Sequence, residues 1–489
     1  MRFKARFSEE SLVFFITIVF YFFLLFNPNN KTFVLFFFLY LFSLAYFLKD
    51  FKKSLLLSYL AAWPFNIGKS YVFELVSPSQ LNLAYHPYGI GPIMVISVKE
   101  IFIVLMFLVL LRNYFLEGKN VFKFDRKSIF LFFYTFSLLV SSLVGSIRPE
   151  ISAVLSLFSV SLLIFYWYLR SLADEKKSLL RLTISIVCSI LLFEALLASL
   201  QFLRRSILGV SIEAVNFLPF DFAAEAESFY YRSVGTFGHA NGLADFLLIL
   251  LFSLLPSLFF DYRKNNQILS FSFLAGIWTL FLTLGRSAWG SFIISFLLFL
   301  FVAGKRWKLR LKFVKIAPRI FFLSLPVLIP FFVFILLPRI INTFYSFEIY
   351  GAGYTRVEMI KEILKTIKEF PLFGIGLGMD TLYSYRLSLV RQGSVFSYFP
   401  EAVHNGYLNH LVQTGIFSLT IYLVISFSFF KDLIDKISAE ENVRKKIFGL
   451  ALACGLASLY LNSVWQPFLP DLQKVIFWST IYKIGNKDV

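Results

Sequence analysis

The 489 residues contain only four histidines, and two of them, His404 and His410, fall six positions apart in "EAVHNGYLNHLVQTGIF", at the edge of an apolar run. A third, His239, stands just before Asn241 in "RSVGTFGHANGLADF", a stretch that also carries Arg232. Arg286 lies in "TLGRSAWGSF", and Arg356 opens "TRVEMIKEILKTIKEFPLFGIGLG". A neutral imidazole near pH 7 can take a proton from a hydroxyl. A guanidinium stays charged at any physiological pH and grips phosphate through a planar fork. Together these residue types suit proton abstraction beside a phosphate-bearing substrate. Each also has an ordinary reading, since a His at a helix start can serve as a hydrogen-bonded cap and an interfacial Arg can snorkel to lipid headgroups. What decides between the readings is whether the elements that carry these residues converge.

Those elements are membrane helices. The chain is 58% hydrophobic and 20% aromatic, with 65 Phe and only 16% charged residues, and its mean hydropathy is +0.74. Apolar runs of the length needed to cross a hydrocarbon core of about 30 Å recur along the chain, beginning near Ser11, Thr32, Ser54, Ile93, Ser128, Ile151, Leu182, Phe237, Leu269, Ala288, Ile320, Gly406, Ile447 and Leu472. The expected fold is all-α, a polytopic bundle of about 12–14 transmembrane helices with a large, partly helical outer loop. Basic connectors between the runs exclude a transmembrane barrel, whose strands alternate polar with apolar residues. The basic start "MRFKARF" has no small-residue cleavage site after its apolar run, so it reads as a retained helix.

With the N-terminus cytoplasmic, alternate connectors such as "KDFKK", "GKRWKLRLKFVK" and "FKDLIDKISAEENVRKK" hold most of the 47 basic residues inside. The net charge of +18 then follows from topology and contact with anionic lipid, and needs no nucleic-acid partner. Three outer loops are long, at about 65–91, 201–236 and 338–405, and long ordered loops are where function collects. On this topology Arg232, His239 and Asn241, then Arg286, then Arg356, then His404 and Asn405 all arrive at the outer face. Most of the basic excess lies on the other.

Val357, Ile360, Ile363, Leu364 and Ile367 share one helical face, with Lys361, Lys365 and Lys368 off it, so this stretch is expected to lie on the membrane surface or pack over the bundle. Gly374, Gly376 and Gly378 superficially resemble a phosphate loop but lack the preceding strand and the Lys-Ser/Thr ending. A tight turn or close packing fits them better. Glu194 and Asp245 fall within apolar helices, where a carboxylate is paired, protonated or lining a polar cavity, and either could neutralise one of the arginines. Asp221, Glu225 and Glu227 read as a solvated loop. Cys188 and Cys454, each inside an apolar run, are assigned to packing, and the sequence shows no metal-ligand spacing. His86 is the least favoured of the histidines.

"HNGYLNHLVQTGIF" resembles the signature of bacterial O-antigen ligases, in which a His is followed by Asn, Ser or Gln, then nine residues and a Gly. Here His404 and Asn405 precede Gly415 at that spacing, and Ser418 stands where the family usually has Gly, Thr or Tyr. "RSVGTFGHANGLADF" is similar to the family's Arg before Gly-Thr-Phe and an Asn. "TLGRSAWGSF" is similar to its Thr-x-Ser-Arg-Gly turn, with Gly285 in place of the Ser, and the Arg356 stretch to its large-loop Arg and Pro-Leu-x-Gly-x-Gly re-entry. The resemblance covers residues 232–415.

The resemblance implies a metal-independent, cofactor-free and inverting glycosyltransferase of the cytoplasmic membrane. Such an enzyme serves polysaccharide or lipopolysaccharide biosynthesis in the cell envelope. Its donor would be a glycan on undecaprenyl diphosphate, and its acceptor a lipid A core, another glycan or a protein hydroxyl at the periplasmic face. His404, Arg356 and Arg232 are the expected catalytic residues, and Arg286, Asn405, His239, Asn241 and His410 the expected substrate-binding ones. An O-antigen polymerase or protein O-oligosaccharide ligase fits the same motifs, and a lipid-linked glycan flippase is the alternative from another class. The expected organisation is an N-terminal helical region over 1–200, a catalytic region over 201–430 that includes the loop at about 338–405, and C-terminal helices over 431–489.

Overall fold

The structure is a computed structural model. It describes residues 8–27, 30–65, 68–72, 93–172, 179–213, 231–258, 266–307, 352–390, 394–397 and 402–485, with isolated positions between 333 and 341. His86, the acidic stretch with Asp221, Glu225 and Glu227, and the expected span near Ile320 lie outside the described residues.

Helices dominate, as the hydropathy predicts. In chain order they are α1 (Glu9–Leu25), α2 (Asn30–Leu48), α3 (Phe51–Ala61), α4 (Val98–Phe115), α5 (Arg126–Val144), α6 (Pro149–Leu157), α7 (Val160–Leu172), α8 (Leu179–Arg204) and α9 (Ala240–Leu254). There follow α10 (Asn266–Leu282), α11 (Arg286–Trp307), α12 (Ala352–Glu369), α13 (Asp380–Val390), α14 (Gly406–Ala439), α15 (Val443–Asn462) and α16 (Leu472–Gly485).

Among the described residues, five segments are long and apolar enough by length and composition to cross a membrane: Arg126–Val144, Pro149–Leu172, Leu179–Arg204, Arg286–Lys305 and Gly406–Ala439. Shorter apolar helices over Thr32–Leu48, Ala240–Leu254 and Gln267–Leu282 pack with them. Two expected spans differ in detail. The run from Ser54 belongs to α3, which has 11 residues. At a 1.5 Å rise per residue that is too short to cross. The run from Ile93 begins as a strand, Ile93–Ser97, paired antiparallel with Gly68–Val72, and turns helical only at Val98. Ser97 supplies the reason, because its side chain and that of Glu100 form a capping box that starts α4 there.

One end of the bundle collects basic connectors. Arg170 pairs with Asp125 at 2.7 Å, Lys127 with Asp432 at 2.5 Å, and the Tyr168 hydroxyl donates to the carbonyl of Lys52. The start of α5 therefore lies against the far end of α14, and the two helices run antiparallel. The candidate site residues fall at the opposite end.

There α14 is broken. Gly415 sits at φ 75°, ψ 177°, outside the helical region, so the helix consists of a first piece of nine residues, Gly406–Thr414, and a long second piece. The break frees the carbonyls of Val412 and Gln413, and the glycine-rich loop fills them: Ile375 N–H donates to Val412 O and Gly376 N–H to Gln413 O, both at 2.8 Å. Ile416 N–H in turn donates to Pro371 O at 3.0 Å. Buried backbone groups in a membrane protein have no water to turn to, so this exchange keeps the break viable.

Contact this close leaves no room for side chains. A Cβ on Gly415 would lie 2.0 Å from Leu372 O, one on Gly374 2.5 Å from the Gln413 carbonyl carbon, and one on Gly376 2.1 Å from Ser146 Oγ. Gly374, Gly376 and Gly378 all have positive φ. The "FGIGLG" glycines thus serve a turn pressed into a helix break, as their lack of phosphate-loop features predicts.

Gly415→Ala combines a disfavoured φ with a backbone collision and is expected to cost at least about 2 kcal/mol. Thermal unfolding in detergent should show a clear fall in Tm, while Gly304→Ala, whose Cβ meets open space, should leave Tm nearly unchanged. A Gly415→Ala protein with wild-type Tm contradicts the described break.

Candidate functional site

Arg232 is held by its neighbours on two sides. Its Nε donates to the carbonyl of Thr283 at 3.0 Å, and one terminal nitrogen donates to Asn241 Oδ1 at 2.6 Å. Asn241 belongs to the first turn of α9, where His239 is the N-cap and accepts from Asn241 N–H through Nδ1 at 3.0 Å. That hydrogen bond assigns Nδ1 of His239 an acceptor role, the capping function that is the ordinary reading of a His at a helix start.

Thr283 belongs to the turn joining α10 to α11. Leu284 within this turn has φ 50°, an uncommon conformation for a leucine, and Trp289 Nε1 closes the turn by donating to Leu280 O at 2.9 Å. Arg286 follows as the first residue of α11. Ser287, next to it, accepts from Gln466 Nε2 at 2.8 Å. Gln466 comes from the connector 463–470 between α15 and α16, and that connector also cradles the start of α14. Ser463 O accepts Gly406 N–H at 2.8 Å, and Val464 O accepts from Asn405 Nδ2 at 3.1 Å. A Cβ on Gly406 would lie 2.4 Å from Phe468 O, so the Gly of "HNG" answers a backbone approach.

These contacts form one path. It runs from Asn241 through Arg232 to the Arg286 turn, across Gln466, and on to the His404-Asn405 turn. Asn405 caps α14, its Oδ1 accepting from Leu408 N–H at 3.0 Å. The first piece of α14 therefore directs the positive end of its dipole at the His404 turn, an arrangement that favours an anionic ligand. His404 is half-buried there, beside Val403, which is buried with Met359, Ile363 and Val412.

Arg356 stands in the first part of α12, whose Met359 and Ile363 share a buried cluster with Val403 and Val412. Thr355, Met359, Ile363 and Thr366 are the buried side of that helix, so α12 packs over the same end of the bundle as the His404 turn. Val357 and Leu364, expected on the packed face with Ile360, Ile363 and Ile367, are instead 41% and 44% exposed. The buried stripe is centred about a residue from where the apolar spacing alone places it, because Met359 and Thr366 take part in the contact.

His410 stands apart from His404. Its ring lies 6.2 Å from that of Tyr134 and 5.5 Å from that of Tyr422, inside the bundle, and among the described residues its Nε2 has no hydrogen-bond partner. This is an aromatic packing site one piece of helix below the His404 turn.

The buried acids do not neutralise the arginines. Asp245 accepts from Asn462 Nδ2 at 3.2 Å and lies 3.7 Å from Lys474 Nζ. Glu194 faces Thr236. Helix direction explains both outcomes, since each carboxylate points to the element packed on its own face of the helix. Cys188 and Cys454 are both buried free thiols, in keeping with packing roles.

Three polar residues near the site carry no motif and go unnoticed in the sequence. Asp380 opens α13 and accepts from Asn409 Nδ2 and Gln413 Nε2, both at 3.0 Å. Enclosure raises its carboxyl above the usual carboxylate range, opposed by the Asn409 hydrogen bond. Gln413 Oε1 also accepts Gly378 N–H at 2.8 Å, so its side chain ties the end of the glycine turn and the start of α13 to the short helix piece. Asn405, Asn409 and Gln413 recur every four residues, and that period was the available signal.

A search among curated proteins finds no match to the chain. A protein-family model described as O-antigen ligase matches residues 271–423, a region that holds Arg286, Arg356, His404, Asn405, His410 and Gly415. Arg232, His239 and Asn241 lie before it and are joined to it through Thr283. The match coincides with the motifs at Arg286, Arg356 and His404, and over residues 271–423 the chain is similar to the O-antigen ligase family.

Proposed function

We propose that this protein is a membrane glycosyltransferase of the O-antigen ligase kind, moving a glycan from undecaprenyl diphosphate to an acceptor hydroxyl at the outer face of the cytoplasmic membrane. The observation that carries the reading is the hydrogen-bonded path that joins the Arg232, Arg286 and His404-Asn405 turns across Gln466, inside and next to the region of family match.

In the proposed reaction, His404 takes the proton of the acceptor hydroxyl as its oxygen attacks the anomeric carbon from the face opposite the leaving group. The sugar–oxygen bond to the diphosphate breaks with inversion, and the bond's electron pair leaves with the lipid diphosphate. Negative charge grows on that leaving group, so fixed guanidiniums stabilise the transition state more than the ground state. Arg356 and Arg232 are assigned to the diphosphate, with Arg286 beside them, in the place that a divalent ion holds in other glycosyltransferases. The N-terminus of the short α14 piece adds to the same field. Asn405 orients the His404 turn, and Asn241 with His239 keeps Arg232 in place.

The ligase is favoured over the polymerase and the protein ligase because the His-Asn-x9-Gly pattern matches it best. Incubating purified protein with a defined undecaprenyl diphosphate-linked glycan, with and without a lipid A core acceptor, separates the ligase from the polymerase by product mass. A core-linked glycan supports the ligase, a lengthened carrier-linked glycan the polymerase. Labelled donor crossing proteoliposomes with no new covalent product supports a flippase instead.

His404→Ala is expected to lower transfer by at least about 100-fold, the scale of a lost general base, with the protein still inserted and folded. Transfer by His404→Ala at near the wild-type rate removes His404 from the chemistry. Arg356→Lys keeps the charge and loses the fork, and a fall of about tenfold or more in kcat is expected in the same mass assay. An unchanged kcat there means that Arg356 supplies only a diffuse charge.

A further inference from the structure

Glu194 is fully buried in α8, and both of its carboxyl oxygens meet a single residue. Oε2 accepts Thr236 N–H at 3.2 Å, and Oε1 lies 2.5 Å from Thr236 Oγ1. The same hydroxyl oxygen lies 2.7 Å from the carbonyl oxygen of Pro64. A carbonyl can only accept, and a hydroxyl has one hydrogen. If that hydrogen goes to Pro64, the short contact with Glu194 needs a second hydrogen, and only the carboxyl can bring it. An ionised carboxylate would also be costly in a bundle interior.

The rest of the turn is built to the same plan. Gly235, between Val234 and Thr236, has φ +56°, and a Cβ there would lie 2.1 Å from Glu194 Oε2. Gln201, two helical turns along α8, accepts the N–H groups of Val234 and Gly235 at 3.1 and 2.8 Å and donates to Gly235 O at 3.0 Å. Ser233 Oγ donates to Ala198 O at 2.8 Å. The N–H groups of Val234, Gly235 and Thr236 are thus all bound by side chains on one face of α8, Ser233 N–H goes to Leu282 O on α10, and Glu194 ends the α8 face.

We infer that Glu194 is held as a neutral carboxylic acid that donates to Thr236 Oγ1, and that it acts as a positioning residue for Arg232 by locking the Gly-Thr turn against α8 and Pro64. Only the activity arm of its test rests on the transfer reading above.

Infrared spectroscopy of the full-length protein in lipid and D2O measures the protonation directly. The carbonyl stretch of a carboxylic acid should be present in wild type and reduced by one group in Glu194→Gln. No such loss in the difference spectrum overturns the inference, whether or not the protein transfers glycan. In the activity arm, a Gln amide can both accept Thr236 N–H and donate to Thr236 Oγ1. Glu194→Gln should therefore keep kcat within about threefold of wild type, whereas Glu194→Ala should lose about tenfold or more. Glu194→Gln that folds and is as inactive as Glu194→Ala overturns the positioning role. If Glu194→Ala does not fold, Thr236→Val takes its place with the same expected loss of kcat.

Discussion

The break in α14 at Gly415 is the constraint on which the site depends. A helix interrupted inside a membrane leaves carbonyls without partners, and each such group costs several kcal/mol unless something fills it. Ile375 and Gly376 supply the missing N–H groups, so the glycine turn after α12 cannot move independently of α14. The short piece between Asn405 and Gly415 is consequently fixed in length and direction. Its capped N-terminus is the platform on which His404 stands, and α12, the carrier of Arg356, is fastened to the same piece through Met359, Ile363 and Val412.

A second set of contacts fixes the other arginines to that platform. The connector 463–470 touches the start of α14 with Ser463 and Val464 and the start of α11 with Gln466. Below it, Asp245, Asn462 and Lys474 tie α9, α15 and α16 together inside the bundle. The Arg232 turn is clamped from α8 by Glu194 and Gln201 and reaches the α10–α11 turn through Thr283. Side chains more than a hundred residues apart in sequence are thereby held on separate rigid supports, which is what preorganised stabilisation of a developing charge requires.

Much of this was legible in the sequence where the signal is local. Apolar length announces the helices, and motif spacing picks out the Arg286, Arg356 and His404 stretches that the family model covers. The absence of a Lys-Ser/Thr ending correctly turns "GIGLG" from a phosphate loop into a packing turn. What could not be read is pairing across the fold. Asp380, Gln413 and Gln466 belong to no motif, and their roles exist only because the helix break and the 463–470 connector bring them into reach. Asp245 meets Lys474 instead of an arginine for the same reason, since hydropathy places a residue at a depth and leaves its neighbours undetermined. The start of α4 at Val98 shows the converse: the Ser97–Glu100 capping box is a local signal, outweighed in a reading by hydropathy alone.

The central claim is that a lipid diphosphate sits at the end of the bundle where the Arg232, Arg286, Arg356 and His404 elements meet. The most direct measurement is an electron cryomicroscopy structure of the protein in nanodiscs with undecaprenyl diphosphate bound. The account predicts diphosphate density against these arginines, on the side of the His404-Asn405 turn. Density at the opposite end, among Lys127, Arg170 and the basic connectors, would contradict it.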